Sequence, residues 1–136
     1  MNAAIEACGL IKNYKVRAKG QNTIVEAVRG VNLSVKEGEI FGFLGPNGAR
    51  KTTCQRMLTT LLPIGGGEAY VAGYNVKKQP DKVRKHIGYV GQLSCSDLPA
   101  TGRENLMLAA RLYGMTKNQI TSKIDELSQS LNLTKY

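Results

Sequence analysis

The chemistry-bearing residues of this chain are consecutive: Gly45-Pro46-Asn47-Gly48-Ala49-Arg50-Lys51-Thr52-Thr53. They follow a short apolar run, Glu39 to Leu44, and lead into a stretch with helical spacing. A phosphate-binding loop occupies that place, between a buried strand and a helix. Successive backbone N–H groups in such a loop point inward and cup phosphate oxygens. The helix N-terminus adds partial positive charge. In this arrangement Lys51 reaches the β- and γ-phosphates and the Thr52 hydroxyl ligates Mg2+. A plain Gly-rich turn is the competing reading, and the strand and helix patterns on either side argue against it.

The pattern G-x-x-x-x-G-K-[ST] is met with one exception: Arg50 stands where it has its second glycine. Glycine serves there because a Cβ obstructs the close approach of backbone to phosphate. Backbone strain at such a position costs about 1–3 kcal/mol. A loss of about 3 kcal/mol in binding is roughly a hundredfold in affinity. A guanidinium does pair bidentately with phosphate. Here, however, it lies within the cradle and does not reach across to it. The expectation is a weakened phosphate site.

The elements that must hold this loop are legible by period. Ala4 to Leu10 alternates loosely and reads as a strand, and polar Lys15 to Asn22 with Gly20 as a loop or hairpin turn. Val31, Leu33 and Val35 alternate with polar residues, a half-buried strand. Glu39 to Leu44 reads as a central strand buried on both faces, as in a parallel sheet. After the loop, Met57, Leu58, Leu61 and Leu62 share a helical face that Pro63 and Gly65 to Gly67 end. Glu68 to Val76 reads as strand and turn, Pro80-Asp81 opens a short basic helix, and Ile87 to Val90 is a brief strand.

The last third is helical. Thr101 with Glu104, and Thr116 with Gln119, are capping boxes. Leu106, Ala109, Ala110 and Tyr113 line one face and Gly114 closes that helix; Ile120, Ile124, Leu127 and Leu131 line the next. The order strand, Gly loop, helix, strand, then helices predicts an α/β domain.

Composition bounds the function. With 136 residues there is room for one core. No run approaches a membrane span, and the N-terminus lacks the pattern of a secretory signal. Three cysteines, Cys8, Cys54 and Cys95, form no CxxC pair, so neither a disulfide framework nor a zinc site is expected. A net charge of +9 suits polyanions such as nucleotides, nucleic acid or an acidic membrane. No nucleic-acid recognition signature accompanies it.

The segment from Val31 to Thr53, VNLSVKEGEIFGFLGPNGARKTT, resembles the Walker A region of an ABC-transporter ATP-binding subunit. The resemblance continues through Gly67 to Val76, Ile87 to Gln92 and Thr101 to Met115. The last stretch is similar to drug exporters of the daunorubicin-resistance type. The resemblance implies an α/β P-loop NTPase core, incomplete, with an N-terminal antiparallel β portion and the start of a helical subdomain. It divides the chain at 1–92 and 93–136. It makes Tyr14 the aromatic that stacks on adenine. Gly45, Pro46, Asn47, Gly48, Ala49, Arg50, Lys51, Thr52 and Thr53 become the loop around ATP. Gln92 becomes the Q-loop glutamine, touching Mg2+ and the attacking water; a neutral amide coordinates through its oxygen and donates through its NH2. The implied cofactors are ATP and Mg2+, with Thr52 and Gln92 at the metal.

The implied partners are a membrane-spanning permease and a second ATP-binding subunit, with no nucleic acid. The implied place is the cytoplasm, at the inner face of the plasma membrane through the permease. The family's signature motif, Walker B acids and switch histidine are not found up to Tyr136, and His86 reads as a surface residue. ATP binding with little or no hydrolysis by this chain alone is therefore expected. The alternative is a non-enzymatic product, a truncated or decayed fragment or a decoy binding module.

Overall fold

The computed structural model describes residues 3–18, 20–91 and 99–133. The chain divides into two compact units, Met1–Tyr89 and Val90–Tyr136.

The first unit is built on a hairpin of β1 (Ala3–Ala18) and β2 (Gln21–Lys36). Pairing runs from Ala3↔Lys36 out to Ala18↔Gln21. The polar stretch expected as a loop over Lys15 to Asn22 is thus mostly strand, with only the tip turning. Polar residues suit both faces of a ribbon that water reaches, so alternation there carries no signal. The helix α1 (Lys51–Leu58) follows, then β3 (Gly66–Val71) and β4 (Tyr74–Asn75). The sheet has the order β2-β1-β3-β4, antiparallel throughout. Ala72 and Gly73, both at positive φ, make the two-residue turn between β3 and β4. Gly67 is obligatory where β3 crosses the bulge in β1: a Cβ there would stand 2.2 Å from the Gly9 carbonyl oxygen. Gly9 itself donates its N–H to Asn32 Oδ1 at 2.7 Å.

The core lies between the sheet and α1. Leu10, Met57 and Val83 are fully buried, joined by Ala7, Val28, Cys54, Leu58, Ala69, Val71 and Val76. Each large apolar side chain so buried contributes about 1.5–3 kcal/mol relative to exposure. Val83 comes from the short helix α2 (Pro80–His86), whose entry is fixed by buried Asn75. Its Oδ1 accepts from the N–H groups of Lys77 and Lys78 at 3.0 and 2.9 Å. Arg84 ties α2 back toward α1, bonding Thr60 Oγ1 at 2.9 Å as well as Asp81. His86 is exposed, as read from the sequence, with Nδ1 at 2.8 Å from the Lys82 carbonyl.

Two expected strands are absent. Glu39 to Leu44 joins no sheet among the described residues, and Ile40 and Leu44 are almost wholly exposed. Ile87 to Val90 is likewise unpaired. An apolar run becomes a central strand only when neighbours hydrogen-bond to both its edges, and the described residues supply none. The helix after the loop is also shorter than its apolar face. It ends at Leu58 with Thr59 as its C-cap, Thr60 turns left-handed at φ 63°, and Leu61 is exposed.

The second unit pairs α3 (Gly102–Leu112) with α4 (Lys117–Ser130). Both capping boxes form: Thr101 N–H donates to Glu104 Oε2 at 2.7 Å, and Thr116 N–H to Gln119 Oε1 at 2.8 Å. Gly114 at φ 75° ends α3 as expected. Among the described residues of this unit only Ile120 and Ile124 are buried; Ala109, Tyr113 and Leu131, expected on packed faces, are exposed. Arg103 and Asp125 join the two helices at 3.4 Å.

Candidate functional site

The loop folds back on its own lysine. Lys51, the first residue of α1, donates from Nζ to the carbonyls of Gly45 and Pro46 at 2.5 and 2.9 Å. A turn bond from Ala49 N–H to the Pro46 carbonyl at 3.2 Å tightens the middle of the loop. Gly48 takes φ 89° with open space beside it, since no atom lies within 4 Å of a Cβ built there. The first N–H groups of any α-helix have no partner within the helix, and the first i→i−4 bond here is Cys54 N–H to Arg50 carbonyl, at 3.1 Å. Among the described residues neither the Thr52 nor the Thr53 hydroxyl has a hydrogen-bond partner. Backbone donors, a helix N-terminus, an ammonium and two threonines therefore follow one another along one loop and the start of its helix. Such a set fits a polyphosphate.

Arg50 occupies the N-cap with φ 59° and ψ 27°, in the left-handed region, and gives no side-chain cap to the helix. That is the conformation the motif's glycine adopts without cost. A side chain there costs roughly 1–2 kcal/mol. The loop thus keeps its shape despite the arginine, whose side chain is exposed. Strain already present in the free loop lowers fold stability; affinity suffers only from the added Cβ and guanidinium.

Cys54, one turn into α1, is buried, and burial raises its thiol above the ordinary value. It packs as an apolar residue. Cys8 is exposed and free, and no cluster of metal-binding side chains occurs among the described residues. Tyr14 lies on β1 opposite Val25 and is half-buried. Lys12 Nζ sits 5.7 Å from the centre of its ring. Sequence reading passed over Lys12, although an i, i+2 pair on a strand shares one face. Gln92 and Cys95 lie outside the described residues.

The comparisons with known proteins agree with this geometry. A family model described as ABC transporter matches residues 28–136. The daunorubicin resistance ATP-binding protein DrrA2 of Streptomyces coeruleorubidus is 41% identical over 124 residues, covering 89% of this chain and 38% of that protein. The ABC transporter ATP-binding protein NatA of Bacillus subtilis (strain 168) is 38% identical over 122 residues, covering 88% of this chain and 49% of NatA. The chain thus spans less than half the length of either relative. Among solved structures, an ATP-binding subunit of an ABC transporter matches with a TM-score of 0.76 at 24% identity, over 97% of this chain and 52% of that one. That likeness is of fold. The ATP-binding cassette MJ0796, a dimer solved with ADP and Pi, matches with a TM-score of 0.74 at 25% identity, over 90% of this chain and 54% of that one. The antiparallel β portion, the loop-bearing helix and the later helices are thus part of an α/β ABC ATPase fold. The chain belongs to the ABC transporter family.

Proposed function

We propose that this chain binds ATP with Mg2+ at the Gly45–Thr53 loop, as the nucleotide-binding part of an ABC exporter subunit. The observation that carries the reading is Lys51 held across the loop by the Gly45 and Pro46 carbonyls, at the N-terminus of α1. A β- or γ-phosphate offers that ammonium a stronger, charge-assisted partner than two neutral carbonyls. Thr52 supplies a hydroxyl for Mg2+, Gln92 a second contact to the metal and water, and Tyr14 the stacking surface for adenine. Division at 1–92 and 93–136, a permease partner, pairing with a second ATP-binding subunit and a place at the inner membrane face belong to the same proposal. They rest on the relatives, two of which are named for drug resistance or transport. Among the described residues no helix is long and apolar enough to cross a membrane.

The reading is of binding. Lys51, Thr52 and the loop N–H groups are binding groups, whereas turnover also needs the attacking water oriented and the metal held from a second side. Arg50 in its left-handed position favours the non-enzymatic variant of the same reading, a binding module that does not turn over.

The test is calorimetric titration with Mg-ATP of the chain, of Arg50→Gly and of Lys51→Ala. Arg50→Gly is expected to bind about tenfold tighter, equivalent to about 1.4 kcal/mol of relieved obstruction. Lys51→Ala is expected to abolish binding in either background. Binding that survives Lys51→Ala places the nucleotide elsewhere and overturns the proposal.

A further inference from the structure

We infer that Lys12 is a positioning residue for the base-binding end of this site: its ammonium fixes the Tyr14 ring and couples it to the segment that carries the phosphate loop. The inference rests on the nucleotide reading above and adds to it a residue outside the loop.

Lys12 and Tyr14 are two apart on β1, so both side chains leave the same face of the strand. Both are half-buried. Lys12 Nζ stands 5.7 Å from the Tyr14 ring centre, within reach of a cation–π attraction. The same Nζ donates to the Pro63 carbonyl at 2.7 Å. Pro63 lies just beyond α1, the helix whose first residue is Lys51. The segment after Pro63 is seated on the same strand, with Gly65 N–H bonded to the Ile11 carbonyl at 2.9 Å. A Cβ at Gly65 would come within 2.9 Å of that oxygen, so the seat admits only glycine.

One ammonium therefore joins the proposed stacking ring to the far end of the phosphate-bearing helix. A ring already held loses less freedom when a base stacks on it. The lysine stands over one face of the ring, so a base would have to stack on the opposite one. Its ammonium is engaged by the Pro63 carbonyl and the Tyr14 ring, so its effect should depend on the ligand having a base.

That dependence separates positioning from a general structural role. The probes are ATP and inorganic tripolyphosphate, each with Mg2+, titrated calorimetrically into the full chain in the tighter-binding Arg50→Gly background. Lys12→Met is expected to weaken ATP about twofold to fivefold, the span of an exposed cation–π contact. Tripolyphosphate affinity stays unchanged, and Lys12→Arg restores ATP. Adding Lys12→Met to Tyr14→Ala causes no further loss. An equal loss for both ligands, no loss for ATP, or losses that add with Tyr14→Ala each overturn the inference while leaving ATP binding intact. Tyr14→Ala without effect on ATP removes the stacking role and this inference with it. Failure of every variant and of the parent to bind ATP overturns the nucleotide reading itself.

Discussion

Val35 and Ile40 are five residues apart, both in apolar stretches that read as strand, and they end in opposite surroundings. Val35 is buried in the hairpin, whereas Ile40 is fully exposed. The hairpin finds its partners nearby: β2 pairs with β1, β3 extends the same sheet at the other edge of β1, and α1 supplies core residues against it. Glu39 to Leu44 needs two neighbours running parallel to it, and a parallel neighbour arrives only after a long crossover. The described residues provide none, so Ile40 and Leu44 stay in water and Phe41 is exposed, while Phe43 alone leans on the core. A hydrophobic pattern states what a segment requires; whether the requirement is met depends on other segments. The matched part of this chain covers 38% of DrrA2 and 49% of NatA.

The comparison breaks most visibly if a buried and an exposed leucine behave alike. Leu10→Ala empties a fully buried site and is expected to cost about 2–5 kcal/mol. Leu44→Ser, at an almost wholly exposed site, is expected to stay within about 0.5 kcal/mol. Denaturant unfolding of both variants decides it. A cost at Leu44 comparable to that at Leu10 means that Glu39 to Leu44 is covered in solution, for example by self-association of its exposed apolar surface.

What was legible divides along the same line. Features settled within a few residues were read correctly. Thr101 with Glu104 caps α3, Gly114 closes it, and Gly45 to Arg50 forms a loop that opens α1. Features that depend on distant partners were not. The extent of β1 past Lys15 is set by pairing with β2, and its polar side chains gave no alternation to read. The end of α1 is set at Thr59 and Thr60, ahead of Pro63, although Leu61 and Leu62 continue the apolar spacing. At the site, the loop residues follow from one motif. Lys12 was invisible because its role arises from a carbonyl at Pro63, far along the chain.

Arg50 sharpens the contrast between local and distant control, because its effect on stability is local. Replacing it with glycine removes a side chain from a left-handed position but loosens the unfolded chain. The net gain expected for Arg50→Gly without ligand is about 1 kcal/mol, read as a rise in the unfolding midpoint. A gain in ATP affinity without a gain in stability shows that the arginine acts through obstruction alone. A gain in stability without a gain in affinity shows the reverse.

The smallest effect concerns the second unit, where local signals dominate and little is buried. Glu104 lies below its ordinary carboxyl value of 4.5, first because the Thr101 hydroxyl donates to it and then because the Thr101 N–H does. A carboxylate whose value is lowered on folding stabilises the fold above its unfolded value, and that contribution fades as pH falls through the folded one. The cap on α3 is therefore expected to be intact at neutral pH and to weaken only below about pH 4.5, toward the folded value. Amide exchange at the first turn of α3, followed against pH, reads this directly. Glu104→Gln keeps an acceptor for the Thr101 N–H and removes the charge, so its protection, taken relative to the intrinsic exchange rate at each pH, should be flat across that acid range. A wild-type profile equally flat means that the capping box contributes geometry and no charge-dependent stability. The start of α3 would then owe its place to the Thr101 oxygen on the Glu104 N–H, the half of the box that does not titrate.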